Sequence, residues 1–464
     1  MTDTQRTISP VDGTVVVERK YAASQEINAV LDAAVWAQKS WKATTLAERV
    51  EICERFAQYL LDHQEEIALD ITRQMGRPIS QTPGEVRGCV DRARTMIELA
   101  PEGLADVRPK ARDGFDRFIR RAPVGVVYVI APWNYPLLTA INTIVPAILA
   151  GNAVVLKHAA QTPLCGDAFA KAFESAGLPK NVFQALVVDH ADAERIVGDR
   201  RINHVAFTGS VRTGHLVQKA AAERFISVGL ELGGKDPAYV RADADIAFAA
   251  ENLVDGAFFN SGQSCCGIER IYVHASVYDK FVERAVEIAK EYRLGDPMDP
   301  STNLGPVVSA SAAKFIRGQV DDAIAKGAKD LVPITTFEKD RPESAFVSPR
   351  ILSNVDHGMR LMTEETFGPV VGIMRVGTDE EAVNLMNDSD FGLTASIWTS
   401  DVAAAEDLAD KIETGTVFLN RCDHLDPSLA WTGVKDSGRG VTLSVLGFDH
   451  LTRPKSHHFR LNTE

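Results

Sequence analysis

Two adjacent cysteines, Cys265 and Cys266, stand in the stretch FFNSGQSCCGIERIYV, after a polar Gly-Gln turn and before an apolar run. Neighbouring thiols can be core residues, a disulfide, metal ligands, or a nucleophile next to a cysteine without a chemical role. Adjacent Cα atoms lie about 3.8 Å apart, below the roughly 4.4 Å minimum of ordinary disulfides. The chain contains no CxxC or HExxH motif, and we therefore predict no metal site. A core thiol and a nucleophile remain as alternatives.

The overall composition is typical of a soluble globular protein, because 45% of the 464 residues are hydrophobic and 24% are charged. This length predicts two or three domains. The formal net charge of −13 argues against nucleic acid or an anionic membrane surface as a partner. Six cysteines are too few for a disulfide scaffold, and no apolar run has the length of a membrane span. We expect a cytoplasmic protein, because the first residues also lack the apolar core of a signal peptide.

Short apolar segments alternate with helix-length segments in the first half of the chain, at 124–130, 152–157, 183–188 and 203–209. Continuous apolar strands in this arrangement predict an α/β fold with a parallel sheet covered on both faces. Helical periodicity precedes them, with a capping box at Thr45–Glu48 and a helix stop at Gly76. The alternation resumes with different residues after Gly234, and we therefore place a domain boundary near it.

Polar segments follow three of the predicted strands, namely APWNYP, KHAAQTP and TGSVRTG. Ligands of parallel sheets bind at the carboxyl ends of the strands. No GxGxxG motif follows any strand, so the usual dinucleotide-binding sequence is absent. FTGSVRTG is a looser version, in which a strand ends at Thr208-Gly209-Ser210 and a helix is predicted to begin near Gly214. Backbone N–H groups at such a helix start can bind a pyrophosphate.

Six segments spread over nearly the whole chain resemble the motifs of the aldehyde dehydrogenase superfamily, in the family's order: PWNYP (132–136), GNAVVLK (151–157), LELGGK (230–235), FFNSGQSC (258–265), ETFGP (365–369) and GVKDSG (433–438). The resemblance implies a non-acylating enzyme that oxidises an aldehyde to the carboxylic acid with NAD(P)+. A cysteine would carry the substrate as a thiohemiacetal and then as a thioester.

The fold that the resemblance implies is α/β, with a Rossmann-type cofactor domain, an α/β catalytic domain and a small β extension for oligomerisation. We predict the cofactor domain at 1–105 and 124–233, the catalytic domain at 234–445, and the extension at 106–123 and 446–464. The extension is expected to build a homodimer or homotetramer. A small-molecule aldehyde is the other expected partner.

The resemblance assigns three catalytic roles. Cys265 is the nucleophile, because a thiolate can make the aldehyde carbon tetrahedral and leaves a thioester that water can cleave. Glu231 is the general base for that water. Asn134 donates its amide N–H to the developing oxyanion, with the backbone N–H of Cys265 as the second donor. Cys266 is then expected to be a small packing residue.

For the cofactor, NAD or NADP, the resemblance assigns Lys157 to the adenosine ribose, Ser210 to a phosphate and Glu365 to the nicotinamide ribose. Trp133 and Phe367 are expected to wall the cleft. Taken singly, such residues are more often surface charges and core aromatics. The complete predicted cofactor set is Trp133, Lys157, Ala160, Gly209, Ser210, Gly214, Glu365 and Phe367.

The sequence departs from the family pattern at two places that bear on specificity. Ala160 stands where the ribose site usually has a glutamate, and this predicts that NADP is accepted besides NAD. A bulky neighbour such as His158 could still enforce NAD specificity. Trp431 replaces a phenylalanine at the mouth of the substrate tunnel. Asp423, His424 and Asp426 are expected to be solvated loop residues, although they could favour a polar or cationic aldehyde.

Two alternative functions are considered. A CoA-acylating semialdehyde dehydrogenase uses a thiol instead of water and typically lacks the general base, so Glu231 argues against it. A catalytically silent, cofactor-binding or structural relative is expected to lose at least one of Cys265, Glu231 and Asn134, and this chain keeps all three.

Overall fold

A computed structural model describes residues 4–462. Its helices are α1 (Ser24–Trp41), α2 (Leu46–Asp62), α3 (Gln64–Met75), α4 (Thr82–Gly103), α5 (Leu138–Leu149), α6 (Pro163–Ser175), α7 (His190–Val197), α8 (Val211–Ala221), α9 (Ile246–Phe258), α10 (Tyr278–Lys290), α11 (Ala310–Ala325), α12 (Arg360–Thr363), α13 (Asp379–Asn387) and α14 (Val402–Ala409). Short 3₁₀ segments occupy Phe259–Gly262, Ile334–Thr336 and Val445–Leu451.

The strands are β1 (Thr4–Ile8), β2 (Val15–Lys20), β3 (Phe115–Pro123), β4 (Val126–Ile130), β5 (Ala153–Lys157), β6 (Phe183–Ala185), β7 (His204–Thr208), β8 (Ser227–Glu231), β9 (Asp236–Val240), β10 (Ile268–His274), β11 (Lys329–Asp330), β12 (Arg350–Ser353), β13 (Val370–Val376), β14 (Phe391–Gly392), β15 (Thr394–Trp398), β16 (Thr416–Leu419), β17 (Val434–Lys435), β18 (Gly438–Arg439) and β19 (Thr452–Arg460). None of the helices within residues 4–462 is long and apolar enough to cross a membrane.

The first large sheet has six strands in the order β18-β8-β7-β4-β5-β6. Strands β4 to β8 are parallel, and β4 lies in the middle with β5 and β6 on one side and β7 and β8 on the other. This order is that of a Rossmann-type sheet. All five residues of β4 and of β5 are buried, because helices cover both faces of the sheet. The four strands predicted from the apolar segments are therefore confirmed.

The N-terminal helices confirm the predicted signals. Thr45 accepts a hydrogen bond from the Glu48 N–H, and the Glu48 carboxylate accepts one from the Thr45 N–H, which completes the capping box that starts α2. Helix α3 ends at Gly76, whose φ of 79° belongs to the left-handed region that glycine adopts easily. Phe56 of α2 stacks on Phe173 of α6 at 4.0 Å between ring centroids, within the core that packs against the sheet.

The second large sheet has seven strands in the order β11-β12-β13-β10-β9-β15-β16, all parallel except β11. The chain passes from the first sheet to the second between Glu231 and Asp236, where the sequence alternation changes. Strand β18 returns to the first sheet and pairs with β8, although it lies within the range predicted for the catalytic domain. The domain limits themselves stay predictions.

The two segments predicted to form the extension contain one antiparallel ribbon. Strand β3 pairs with β19 along its whole length, from Phe115 opposite Arg460 to Pro123 opposite Thr452. The 3₁₀ segment before β19 belongs to the core instead, because Phe448 is buried there. The role of the ribbon in oligomerisation stays a prediction.

Candidate active site

The nucleophile candidate follows a strained turn at the end of α9. Asn260 and Ser261 have φ values of 51° and 56°, and Gly262 continues the left-handed run with a φ of 69°. Each non-glycine residue in this region costs about 1–2 kcal/mol. Side-chain hydrogen bonds hold the turn in place: the Ser261 hydroxyl donates to the Gly305 carbonyl at 2.9 Å, and the Asn260 amide donates to the Asn134 carbonyl at 3.1 Å. The turn thus presents Cys265 to a pocket.

Glycines are required where three of the six family-like segments meet. A side chain at Gly262 would collide with the Gly368 carbonyl of the ETFGP segment. A side chain at Gly234 of the LELGGK segment would collide with the Cys265 carbonyl. Only glycine allows backbones to approach this closely. The motifs that are distant in sequence therefore converge on one place.

The two cysteines differ in access to the pocket. Cys265 is partly exposed and lines the pocket, whereas Cys266 is buried. The Cys266 thiol donates to the Asp423 carboxylate at 3.2 Å. Its hydrogen bond with the Cys265 thiol, together with burial, raises the pKa of Cys266 well above its ordinary value. Cys266 therefore remains a protonated thiol, and Cys265 is the accessible sulfur of the pair.

Glu231 ends strand β8 and lines the same pocket as Cys265. One carboxylate oxygen accepts a hydrogen bond from the Thr442 hydroxyl at 2.6 Å, and the other accepts one from the Thr208 hydroxyl at 3.2 Å. Burial raises the pKa of Glu231, while these two hydrogen bonds oppose the shift. A carboxylate with a raised pKa is a stronger base than a solvated one, which suits proton abstraction from water.

Asn134 lies on the loop after β4 and is buried. Its amide nitrogen donates to the Gln263 carbonyl at 3.1 Å, two residues before Cys265. The side chain is therefore tied to the cysteine segment and does not cap its own turn. One amide hydrogen remains for another acceptor.

The pocket has a volume of about 450 Å³. Cys265, Glu231 and Trp431 all lie in its wall, so the predicted nucleophile, base and tunnel residue come together. Two further aromatic side chains, Tyr135 and Phe259, line it as well. The guanidinium of Arg77 lies over both rings, at 4.7 Å and 5.2 Å from their centroids.

The expectation for Asp423 is wrong, because this residue lies in the pocket wall and not in a solvated loop. Its carboxylate accepts hydrogen bonds from the Ser264 hydroxyl at 2.7 Å and from the Cys266 thiol. Burial raises the pKa of Asp423 to about 6. His424 also lines the pocket, whereas Asp426 is exposed, as expected for a loop residue.

Lys157 is the last residue of β5 and is buried. Burial lowers the pKa of its ammonium group, and no carboxylate of residues 4–462 pairs with it. Ser210 follows β7 and caps helix α8, because its hydroxyl accepts from the Thr213 N–H at 3.4 Å. A buried cation and a capped helix N-terminus, both at the carboxyl ends of strands of the first sheet, fit the hydroxyl and phosphate groups of a dinucleotide.

The predicted helix start near Gly214 is wrong, since α8 begins at Val211. The Ser210 cap sets the start three residues earlier than the glycine. Gly214 lies in the first turn and faces β8, where a side chain would collide with Leu232. Gly209 is likewise needed for packing, because a side chain there would collide with the Phe207 ring.

Glu365 stands beside the LELGGK segment, and its carboxylate accepts from the Gly234 N–H at 3.1 Å. Burial, with the nearby Glu269 carboxylate, raises the pKa of Glu365 to about 7. Glu269 accepts from the Phe367 N–H at 2.9 Å and forms a buried ion pair with Lys235. This pair fixes the loop on which Phe367 meets Trp133 edge to face, with ring centroids 5.7 Å apart.

Ala160 has an exposed side chain, and its carbonyl accepts from the Thr7 hydroxyl at 2.8 Å. His158 is buried and contacts the Pro136 carbonyl through Nε2 at 2.9 Å. Burial lowers the pKa of His158 to about 4, so the ring is neutral at neutral pH. His158 is thus bonded inside the protein, which removes support for its acting as the bulky group that excludes NADP.

Sequence reasoning missed several residues that the fold brings to this place, among them Arg92, Thr442 and the Lys235–Glu269 ion pair. Arg92 carried a signal, because it lies three residues after Cys89 and four before Met96, both on the buried stripe of α4. A charge on an apolar helix face calls for an explanation. No feature of the sequence pointed to Thr442. Within residues 4–462, no group of three His, Cys, Asp or Glu side chains could hold a metal ion.

A first sheet of Rossmann-type order, a helix start capped by Ser210 after β7, and a pocket lined by Cys265 and Glu231 are the features expected of a nicotinamide-dependent dehydrogenase with a cysteine nucleophile. The profile described as the aldehyde dehydrogenase family matches residues 1–457. The chain belongs to this family, and it is an enzyme that oxidises an aldehyde to the carboxylic acid with NAD+ or NADP+.

Three relatives illustrate the similarity. The NADP+-dependent succinate-semialdehyde dehydrogenase of Mycobacterium avium is 35% identical over 453 residues, which cover 97% of this chain and 95% of the relative. Vanillin dehydrogenase of Corynebacterium glutamicum is 35% identical over 443 residues, covering 93% and 89%. The crystal structure of Streptococcus pyogenes succinic semialdehyde dehydrogenase with NADP+ has a TM-score of 0.93 at 30% identity, covering 98% of this chain and all of that one.

Proposed function

We propose that Cys265, Glu231 and Asn134 carry out the oxidation. The supporting observation is that Cys265 and Glu231 line one pocket, while Asn134 hydrogen bonds to the segment that bears the cysteine. The Cys265 thiolate attacks the aldehyde carbon, and the free amide hydrogen of Asn134 and the Cys265 backbone N–H are donors to the oxyanion. The nicotinamide cofactor, when bound, accepts the hydride. Glu231 then takes a proton from the water that cleaves the thioester, which frees the acid and the thiol.

The cofactor site proposed here consists of the predicted set around Lys157, Ser210 and Glu365. Lys157 supports it best, because its buried charge has no carboxylate partner in the part of the chain that the structure describes and is available to ribose hydroxyls or a phosphate. Ser210 supports it through the first N–H groups of α8, which suit a pyrophosphate. Trp133, Phe367, Gly209, Gly214 and Ala160 complete the predicted set.

The substrate proposed here is a short aliphatic aldehyde that carries a carboxylate at its far end. Arg92 is the observation that supports it. This guanidinium lines the pocket and uses one nitrogen to donate to the Leu138 carbonyl at 2.8 Å and to the Asn142 side chain at 3.1 Å. Both acceptors are neutral, so a fork of further N–H groups is left for a carboxylate.

Two other charged residues of the pocket, Arg77 and Asp423, already have partners in the protein. Arg77 forms a buried ion pair with Glu85 at 2.5 Å. Asp423 is satisfied by hydroxyl and thiol donors. Burial lowers the pKa of Arg92, which nevertheless stays charged at neutral pH. Within residues 4–462 Arg92 forms no salt bridge, although the charges of Glu231 and Glu85 oppose the lowering of its pKa. A substrate carboxylate would supply the missing partner.

Replacing Arg92 with glutamine is expected to lower kcat/KM for succinate semialdehyde about 100-fold, or about 2.7 kcal/mol, because the charge-assisted hydrogen bonds are lost. The kcat/KM for butanal, which has the same chain length and no carboxylate, should change by less than about threefold. Reduced cofactor absorbance at 340 nm measures both rates.

A matched control is Arg94→Gln on the same helix, since Arg94 is half-exposed and pairs with Glu54 outside the pocket. This variant should leave both substrates unaffected. A wild-type enzyme that oxidises butanal as efficiently as succinate semialdehyde would contradict the proposed substrate.

A second candidate substrate is an aromatic aldehyde, and a separate observation favours it. The rings of Tyr135, Phe259 and Trp431 all border the pocket, and aromatic side chains stack well on a planar substrate. Vanillin dehydrogenase is among the relatives of similar identity. Including benzaldehyde and vanillin in the same panel separates the two candidates, because Arg92→Gln should not impair oxidation of the uncharged benzaldehyde.

Cofactor choice is proposed to be relaxed, with a preference between NAD+ and NADP+ of about tenfold or less, equal to about 1.4 kcal/mol. Ala160 supports this proposal because it offers the nucleotide no carboxylate. A carboxylate here would accept hydrogen bonds from ribose hydroxyls and repel a 2′-phosphate.

Replacing Ala160 with glutamate is expected to shift the preference towards NAD+, mainly by raising the KM for NADP+, since like charges in a partly dry cleft repel. Comparing kcat/KM for both cofactors in the wild type and the variant measures the shift. Ala160→Gln, which has the same size without the charge, should shift it much less. A wild type that already discriminates against NADP+ by a thousandfold would disprove the idea.

The β3–β19 ribbon is proposed to join subunits into a homodimer or homotetramer. Its supporting observation is that Phe459 and Leu461 at the end of the ribbon are 50% and 65% exposed, which is unusual for large apolar side chains.

A further inference from the structure

A second, smaller cavity lies on the other side of Glu231 from the substrate pocket. Glu231 and Asn142 belong to the walls of both. The small cavity measures about 30 Å³, which is enough for a water molecule, and its wall includes Thr442, His204 and His450. Polar side chains with hydrogen-bonding capacity thus surround a space that the oxidation chemistry does not use.

Thr442 connects this cavity to the proposed base. Its hydroxyl donates to the Glu231 carboxylate at 2.6 Å, the shorter of the two hydroxyl contacts of that carboxylate. A hydroxyl can accept one proton while it donates another, and therefore can pass a proton from the carboxyl group to a water.

Two glycines keep the space in front of the imidazoles open. A Cβ atom at Gly440 would lie 3.6 Å from Nε2 of His450, and one at Gly229 would lie 3.8 Å from Nε2 of His204. The two rings are stacked, with 6.4 Å between their centroids. Both Nε2 atoms therefore border the same narrow region.

The two histidines are not equivalent. His204 is buried, its Nδ1 contacts the Ser227 hydroxyl at 2.7 Å, and burial lowers its pKa to about 3. His204 therefore stays neutral and forms part of the cavity wall, where its ring can hydrogen bond to a water. His450 is only half-buried and reaches solvent from the 3₁₀ segment before β19.

We propose that this cavity is the proton exit of the enzyme, leading from Glu231 through Thr442 and one water to His450 and then to solvent. The proposal rests on the proposed role of Glu231 as the base. Glu231 gives its proton to the Thr442 oxygen as the Thr442 proton moves to the water. That water passes a proton to Nε2 of His450, which releases it to solvent, and the carboxylate is restored.

The need for such a route follows from the location of Glu231. Its other side faces the substrate pocket, which the acid product occupies when the thioester is cleaved. A buried base that cannot release its proton cannot act in the next turnover.

The test is the pair of substitutions His450→Gln and Thr442→Val, with the exposed His190→Gln as the matched control. In weak buffer, His450→Gln should lower steady turnover about tenfold, within the range of proton-transfer effects. The first-turnover yield of reduced cofactor per site should be unchanged. Added imidazole should restore most of the rate of His450→Gln, because it replaces the missing proton acceptor.

Thr442→Val should be slowed in the same way. Its rate should not respond to imidazole, since the proton transfer that it interrupts takes place inside the protein. Thr442→Ser, which keeps the hydroxyl, should recover most of the lost rate. Normal turnover in both His450→Gln and Thr442→Val would overturn the exit route. If Glu231→Gln is slow in that case, the proposed function still stands, whereas normal turnover of Glu231→Gln would remove the base itself.

Discussion

Replacing Cys265 with serine is expected to lower aldehyde oxidation by more than about a thousandfold, because an unactivated hydroxyl is a far poorer nucleophile than a thiolate. Binding of the cofactor should remain, since Cys265 lies in the substrate pocket. Steady-state production of reduced cofactor measures the first effect, and quenching of tryptophan fluorescence by added NADP+ measures the second.

Cys266→Ser is the matched control, and it should keep most of the activity. A serine hydroxyl can still donate to Asp423, which accepts from Cys266 at 3.2 Å in the wild type. The raised pKa of the Cys266 thiol keeps it protonated, so the substitution removes no reactive thiolate. An inactive Cys266→Ser enzyme beside an active Cys265→Ser enzyme would reverse the assignment of the pair.

The fold was largely predictable from the sequence, because several of its strands coincide with short apolar segments. Strands β4 and β5 are buried on both faces, and a sequence without alternation follows directly from that environment. Helix α2 starts where its capping box predicts. The error at α8 came from treating Gly214 as the helix start, when the glycine is required for contact with Leu232.

The sequence predicted those parts of the candidate site in which a motif contains a glycine that the backbone requires. Gly262 and Gly234 leave room for carbonyl groups of other segments, so the motifs mark places where distant parts of the chain touch. The residues proposed to set substrate specificity were harder to predict from the sequence. Asp423 looks like a loop residue in sequence, and only the tertiary fold brings it to Ser264 and Cys266. Arg92 similarly depends on how α4 packs on α5.

Replacing Glu231 with glutamine is expected to separate the two halves of the reaction. The amide keeps the size of the side chain and cannot take a proton from water, so steady turnover should fall about 10²–10⁴-fold. Acylation of Cys265 survives if the base serves mainly the water, and then each site should yield up to one equivalent of reduced cofactor in a burst. Intact-protein mass spectrometry should detect the accumulated acyl-enzyme.

Adding hydroxylamine sharpens this test, because a strong small nucleophile can cleave the thioester without a general base. Added to the acyl-enzyme of Glu231→Gln after free aldehyde has been removed, it should release the acyl group as the hydroxamate and restore the Cys265 thiol. Coenzyme A should yield no acyl-CoA with the wild type, since Glu231 directs water to the thioester. Normal steady turnover of Glu231→Gln would exclude Glu231 as the base, and its hydrogen bonds to Thr442 and Thr208 would then serve only to hold β8 in place.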